Sequence, residues 1–119
     1  MPLIELFRNF RDKYMRSSVD KMDFPEFPPD EMKRYQIIFS GIVQGVGFRY
    51  EAWLIAKELG LTGFAENLPN GDVRMEVQGP ENKIFYLIKC MESIRRISID
   101  NKVMNELSVI EEEEFTPVY

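Results

Sequence analysis

Histidine is absent from this chain, and cysteine occurs once, at Cys90. The first absence removes Ser-His and Cys-His nucleophile pairs and any His-ligated metal. The second removes an internal disulfide, a multi-thiolate zinc site and an iron–sulfur cluster. Chemistry must then come from Arg, Lys, carboxylates, amides, hydroxyls or backbone N–H groups. Also missing is an apolar run of the roughly 20 residues that cross a bilayer. Met1 to Phe10 carry Glu5 and Arg8 where a secretory leader would be continuously apolar, so a cytoplasmic protein is expected, with no membrane contact. Basic residues are outnumbered, 15 Lys and Arg against 20 Asp and Glu, for a net charge of −5. That argues against a nucleic-acid or anionic-lipid partner. It leaves room for a local anion site made of oriented N–H dipoles and one Arg.

The 119 residues are 45% apolar, enough for one domain around one core. A break falls near residue 33, where Pro25, Pro28 and Pro29 remove backbone donors and disfavour helix. Residues 1–33 read as an N-terminal extension and 34–119 as a compact domain. Within the extension, Leu3, Phe7, Phe10 and Tyr14 recur at one-face helical spacing. The expectation there is a short amphipathic helix packed on its own domain. The chain should be a monomer, and residues 1–33 are the route for any self-association or docking.

After the break, Arg34–Ser40 suits a strand. Gly41, Gly45 and Gly47 interrupt it with a loop, and Ala52, Ile55, Ala56 and Leu59 mark a helix that Gly60 ends. Leu61–Leu68 reads as a strand, Pro69-Asn70-Gly71 as a turn, and Asp72–Gln78 as a strand with one buried and one wet face. Gly79-Pro80 opens a second helix bearing Ile84, Leu87, Ile88 and Met91 on one face. A last strand lies within Ile99–Leu107, Glu111–Glu114 form a solvated turn, and Phe115–Tyr119 add a short edge. The order βαββαβ is the ferredoxin-like plan of the α+β class: an antiparallel four-stranded sheet with two helices on one face.

Gly41-Ile42-Val43-Gln44-Gly45-Val46-Gly47-Phe48-Arg49 joins the first strand to the first helix. Its glycines let the backbone take turns closed to other residues. Successive N–H groups can then form an anion nest, to which the helix adds its unpaired amides and positive dipole end. Arg49, at the helix start, carries a fork that fits two phosphate oxygens. The loop lacks the Gly-Lys-Ser/Thr ending of a Walker loop and does not fit the dinucleotide fingerprint. Alone it is a weak signal, compatible with a tight turn and a surface Arg.

Asn67 supplies a second piece. A helix of about 11 residues carries the chain roughly 16 Å from the loop, and a strand of about 6 residues returns it roughly 20 Å. Asn67 therefore ends level with the loop, on a strand about 10 Å from the first with one strand between. The plainer reading of Asn67 is a hairpin residue bonded to its own turn; the loop opposite favours the functional one.

These residues resemble a known family. Gly41–Arg49 looks like the first signature of acylphosphatases. Gly63-Phe64-Ala65-Glu66-Asn67, followed by Gly71, Val73 and Gly79, looks like the second. The resemblance covers about residues 35–119. It implies the βαββαβ fold and the hydrolysis of acyl phosphates (carboxylic–phosphoric anhydrides) to carboxylate and phosphate, with no metal and no cofactor. It also implies roles. Arg49 and the loop Gly41, Val43, Gln44, Gly45, Val46, Gly47 and Phe48 bind the substrate phosphate, and Asn67 orients the attacking water. Glu66 departs from the family, which more often has a basic, small or neutral residue there; strand alternation puts it on the face opposite Asn67.

Three other functions compete with this reading. A non-catalytic module binding phosphate or carbamoyl phosphate on the same fold is disfavoured by the presence of both Arg49 and Asn67. An RNA-recognition domain shares the element order but needs aromatics on the central strands and a basic surface. A metal chaperone of this fold would need a Cys-x-x-Cys. Trp53 and Phe48 read as core, Cys90 as a small buried hydrophobe, and Lys57 and Glu58 as solvent-facing.

Overall fold

The computed structural model describes residues 24–119; the amphipathic stretch from Leu3 to Tyr14 lies outside them. Seven elements follow in order: β1 (Met32–Ile42), α1 (Phe48–Leu59), β2 (Thr62–Asn67), β3 (Val73–Pro80), α2 (Glu81–Ser93), β4 (Ser98–Leu107) and β5 (Phe115–Pro117). The sheet runs β4-β1-β3-β2-β5. β3 pairs antiparallel with both β1 and β2, so those two flank it and run parallel to each other. One correction concerns strand number: the sheet has five strands, and the fifth pairs in parallel with β2. The ferredoxin-like α+β plan holds, with β5 added as a short outer edge.

Alternation dictates which face is buried. Ile37 and Phe39 on β1, Ala65 on β2, and Val73, Met75 and Val77 on β3 all point to one face and are fully buried. Against them pack Ala52, Ile55, Ala56 and Leu59 of α1, and Ile84, Leu87, Ile88 and Met91 of α2. Each large apolar side chain so buried contributes about 1.5–3 kcal/mol. α1 stops where the sequence predicts. Gly60 adopts the left-handed conformation at φ 70°. Its N–H reaches the Lys57 carbonyl at 3.3 Å, and the Leu61 N–H reaches the Ala56 carbonyl at 2.8 Å. This is the two-bond helix stop that glycine permits. α2 begins at Glu81, because β3 continues through Gly79 and Pro80.

The opposite face is less wet than alternation predicts. Arg34 and Gln78 point there, yet they are only 2% and 5% exposed. The segment between β4 and β5 crosses over them. Gln78 donates to the Ile110 carbonyl at 2.7 Å and accepts from the Ile110 N–H at 3.0 Å. Arg34 Nη1 meets the Glu112 carboxylate at 2.8 Å, and its Nη2 meets Glu76 at 3.0 Å. Burial works to lower the Arg34 pKa, but the hydrogen bonds from Glu112 and Glu76 outweigh it and raise the value. Glu112 is therefore a structural ion-pair partner, a correction to the solvated turn read for Glu111–Glu114. The crossing delivers the chain to β5, beside β2.

Residues 24–31 pack beside α2. Phe24 and Phe27 meet the Tyr86 ring edge-on, at centroid distances of 6.0 and 5.2 Å. Just beyond them, Asp30 accepts from the Asn82 backbone N–H at 2.9 Å.

Candidate active site

The loop between β1 and α1 takes its shape from two glycines. Gly45 and Gly47 sit at φ 73° and 81°, in the left-handed region closed to most side chains. Gly47 is the N-cap of α1, and among the described residues no side chain caps that end. The helix begins with the Glu51 N–H bonding to the Gly47 carbonyl at 3.0 Å. An N-terminus of this kind presents unsatisfied N–H groups and a positive dipole end. Gly41 lies before the loop, where the pairing of β1 with β4 shifts register. Val43 and Phe48 are buried at either end, and Phe48 packs on Phe39 at 5.0 Å. These two apolar side chains pin the loop to the core, as expected of Phe48.

Two polar side chains tie the loop to its surroundings, one from within it and one from outside. Gln44 Nε2 donates to the Leu68 and Asp72 carbonyls, at 2.7 and 2.8 Å. That bridge fastens the loop to the β2–β3 hairpin, one residue beyond Asn67. Arg96, from the connection between α2 and β4, donates from Nε to the Val46 carbonyl at 2.8 Å. The sequence singled out Gln44 as a loop residue without seeing its bridging role, and it gave no role to Arg96.

Arg49 leaves the first turn of α1 and donates from Nη1 to the Val118 carbonyl at 2.7 Å. The Tyr119 ring lies over its guanidinium, 4.3 Å from the centroid. Val118 is itself held on β2, its N–H bonding the Ala65 carbonyl at 2.9 Å. Arg49 is thus anchored to β2 two residues before Asn67. Asn67 ends β2 opposite Val73, on the helix-bearing side of the sheet. Its Oδ1 is buried with no hydrogen-bond partner. Glu66 lies on the other side and pairs with Arg74, its neighbour across the β2–β3 ladder. The structure therefore gathers the loop, Arg49 and Asn67 at one end of the sheet and directs the Glu66 charge elsewhere. Among the described residues no cluster of Cys, Asp and Glu is arranged to hold a metal ion.

A glycine loop, a helix end and a neighbouring Arg thus stand together at one end of an α+β domain. The comparisons with known proteins define it further. The acylphosphatase family profile matches residues 35–117. The chain is 53% identical to the acylphosphatase of Clostridium perfringens (strain SM101) over 75 residues, 60% of this chain and 84% of that one. It is also 53% identical to the acylphosphatase of Clostridium beijerinckii over 57 residues, covering 48% of this chain and 63% of the relative. The solved structure of the Bacillus subtilis acylphosphatase superposes with a TM-score of 0.68 at 30% identity, over 73% of this chain and 99% of that one. The chain belongs to the acylphosphatase family. Its activity is the family's: hydrolysis of an acyl phosphate to a carboxylate and phosphate.

Proposed function

We propose that the Gly45–Phe48 amides and Arg49 hold the phosphoryl group while Asn67 places the attacking water. The observation that carries this reading is the uncapped α1 N-terminus, tied through Gln44 to the hairpin that bears Asn67. Arg49 commits Nη1 to Val118, which fixes the fork and leaves its other N–H groups for phosphate oxygens. The unpartnered Asn67 Oδ1 is an acceptor for a water proton. Water oxygen attacks phosphorus in line, the bond from phosphorus to the acyl oxygen breaks, and the carboxylate leaves with the electron pair. The carboxylate is a good leaving group, so strong activation of water is unnecessary. The proton passes to a phosphate oxygen. Charge gathering on the equatorial oxygens is met by Arg49 and the loop amides. No metal or cofactor has a part in these steps. The partner is a small acyl phosphate, and we place the protein in the cytoplasm as a monomer. Among the described residues no helix is long and apolar enough to cross a membrane.

The test is hydrolysis of benzoyl phosphate in EDTA by wild type, Arg49→Ala and Asn67→Ala, with folding checked by circular dichroism. Each substitution is expected to cost about 100- to 1,000-fold in rate, the usual loss for one well-placed transition-state group. A folded variant that keeps wild-type turnover removes that residue from the mechanism, and loss of wild-type activity in EDTA removes the metal-free reading.

A further inference from the structure

We propose that Arg96 is a positioning residue for the phosphate loop, acting through the backbone N–H of Gly47. The inference rests on the reading of the loop as the phosphate seat. It starts from a property of the peptide group. A trans peptide is planar, so the carbonyl of one residue and the N–H of the next point in opposite directions. There are no cis bonds among the described residues. Arg96 Nε holds the Val46 carbonyl at 2.8 Å. The Gly47 N–H is thereby turned away from Arg96, and its direction is fixed as long as that bond lasts.

The bond matters because of what surrounds this peptide. Gly45 and Gly47 are both left-handed, and glycine adopts either sign of φ at similar cost. With glycine on one side of the Val46–Gly47 peptide and another one residue earlier, little in the local backbone opposes its rotation. A rotated peptide would present a carbonyl oxygen where the helix end now presents an N–H, and a carbonyl repels phosphate. Arg96 opposes the rotation from outside the loop.

The guanidinium is well anchored for this. Its Nη2 meets the Glu51 carboxylate at 2.5 Å, and Glu51 is fully buried in the first turn of α1. A buried carboxylate is costly without a cationic partner, so the pair is held in one geometry and Nε is aimed at Val46. A single side chain thus joins the α2–β4 connection, the loop and the helix that carries Arg49. Loop and helix are adjacent in the chain, and Arg96 reaches them from 50 residues beyond Val46. Arg96 touches no substrate in this arrangement; its effect reaches the phosphate through an amide.

The experiment compares wild type, Arg96→Lys and Arg96→Met. The readouts are benzoyl phosphate kinetics, inhibition by inorganic phosphate, and the nitrogen-15 amide resonance of Gly47 during phosphate titration. Lysine keeps a positive charge for Glu51 but lacks Nε and the planar fork. In wild type the Gly47 resonance is expected to shift on phosphate addition. In both variants the shift should shrink. Arg96→Met should lose about 100-fold in kcat/KM, as for loss of one oriented donor, and phosphate should inhibit it more weakly. Arg96→Lys should fold and show the same direction of change, so the test stands even if Arg96→Met fails to fold. Variants that are less heat-stable but keep the wild-type Gly47 response and phosphate inhibition would overturn the proposal and leave Arg96 a stabilising residue only. If wild type itself shows no Gly47 response while phosphate still inhibits it, Arg96 is overturned and Arg49 survives. Absence of phosphate binding to wild type would overturn the phosphate seat itself.

Discussion

Two strand-to-helix junctions occupy equivalent places in the two halves of this fold, and they are finished in opposite ways. At the first, five residues of loop, 43–47, precede α1, and among the described residues no side chain caps the helix N-terminus. At the second, β3 runs straight into α2, and residues before β1 close the helix end. Asp30 accepts from the Asn82 N–H at 2.9 Å, and the Glu31 carbonyl accepts from the Glu81 N–H at 2.9 Å. The Pro28 carbonyl takes the Asn82 side-chain amide at 2.9 Å as well. Both ends offer the same amides and the same dipole. Among the described residues only the first end is left without such partners, and the proposed phosphate seat lies there. The lesson is that a helix terminus becomes a site through what the rest of the chain withholds from it.

The largest expected effect comes from closing the open end. In Gly47→Asp the new carboxylate would sit at the helix end, meet its positive dipole, and repel phosphate. Aspartate tolerates the left-handed region better than most residues, so the stability cost should stay near 1–2 kcal/mol. Steady-state kinetics should show a fall of about 100-fold or more in kcat/KM. A variant that keeps most of its activity would show that the helix end plays no part in catalysis.

Opening the closed end should act on stability alone. Asp30→Ala removes a cap from α2 and should cost about 1 kcal/mol, a fall in Tm of about 4–8 °C for a domain of this size. Benzoyl phosphate kinetics should be unchanged. A loss of kcat/KM without a loss of stability would mean that the two ends are not separate in function.

The smallest effect concerns pH at the closed end. The Tyr35 hydroxyl donates to Glu81 at 2.6 Å. That hydrogen bond, with burial added, pushes the Tyr35 pKa from 10.0 up to about 12. A raised folded-state pKa gives stability that is complete below the unfolded value and is lost as pH rises toward the folded one. The wild type should therefore lose stability between about pH 10 and 12, and Tyr35→Phe should lose less over that window. Urea denaturation across that range decides it; parallel curves would sink the assignment.

The contrast between the ends was half legible in the sequence. Gly45, Gly47 and Arg49 mark a candidate anion site because backbone freedom and charge type are local properties. The βαββαβ order follows from apolar periodicity, which records the buried face of each element. Nothing local marks Asp30 as a cap for a helix that starts 51 residues later, since the contact exists only once β1 lies beside β3. The same holds for Gln44 on the hairpin, Arg96 on Val46, Glu112 on Arg34 and Val118 on Arg49. Each joins a residue to a carbonyl or charge far away in the chain, which no local pattern records. The parallel pairing of β5 was hidden for a related reason: a three-residue strand carries too little alternation to reveal its partner.

The two borders of the sheet bear on how copies of the chain meet one another. A bare strand edge is a template on which a second chain can add a strand. At one border β5 is only three residues long and ends in Pro117, which has no N–H to offer. At the other, β4 runs for ten residues and exposes Asp100, Lys102 and Glu106 among its polar side chains. A strand added there would meet charges of both signs in a fixed order, which disfavours stacking of identical copies. Among the described residues one border resists growth by brevity and the other by charge.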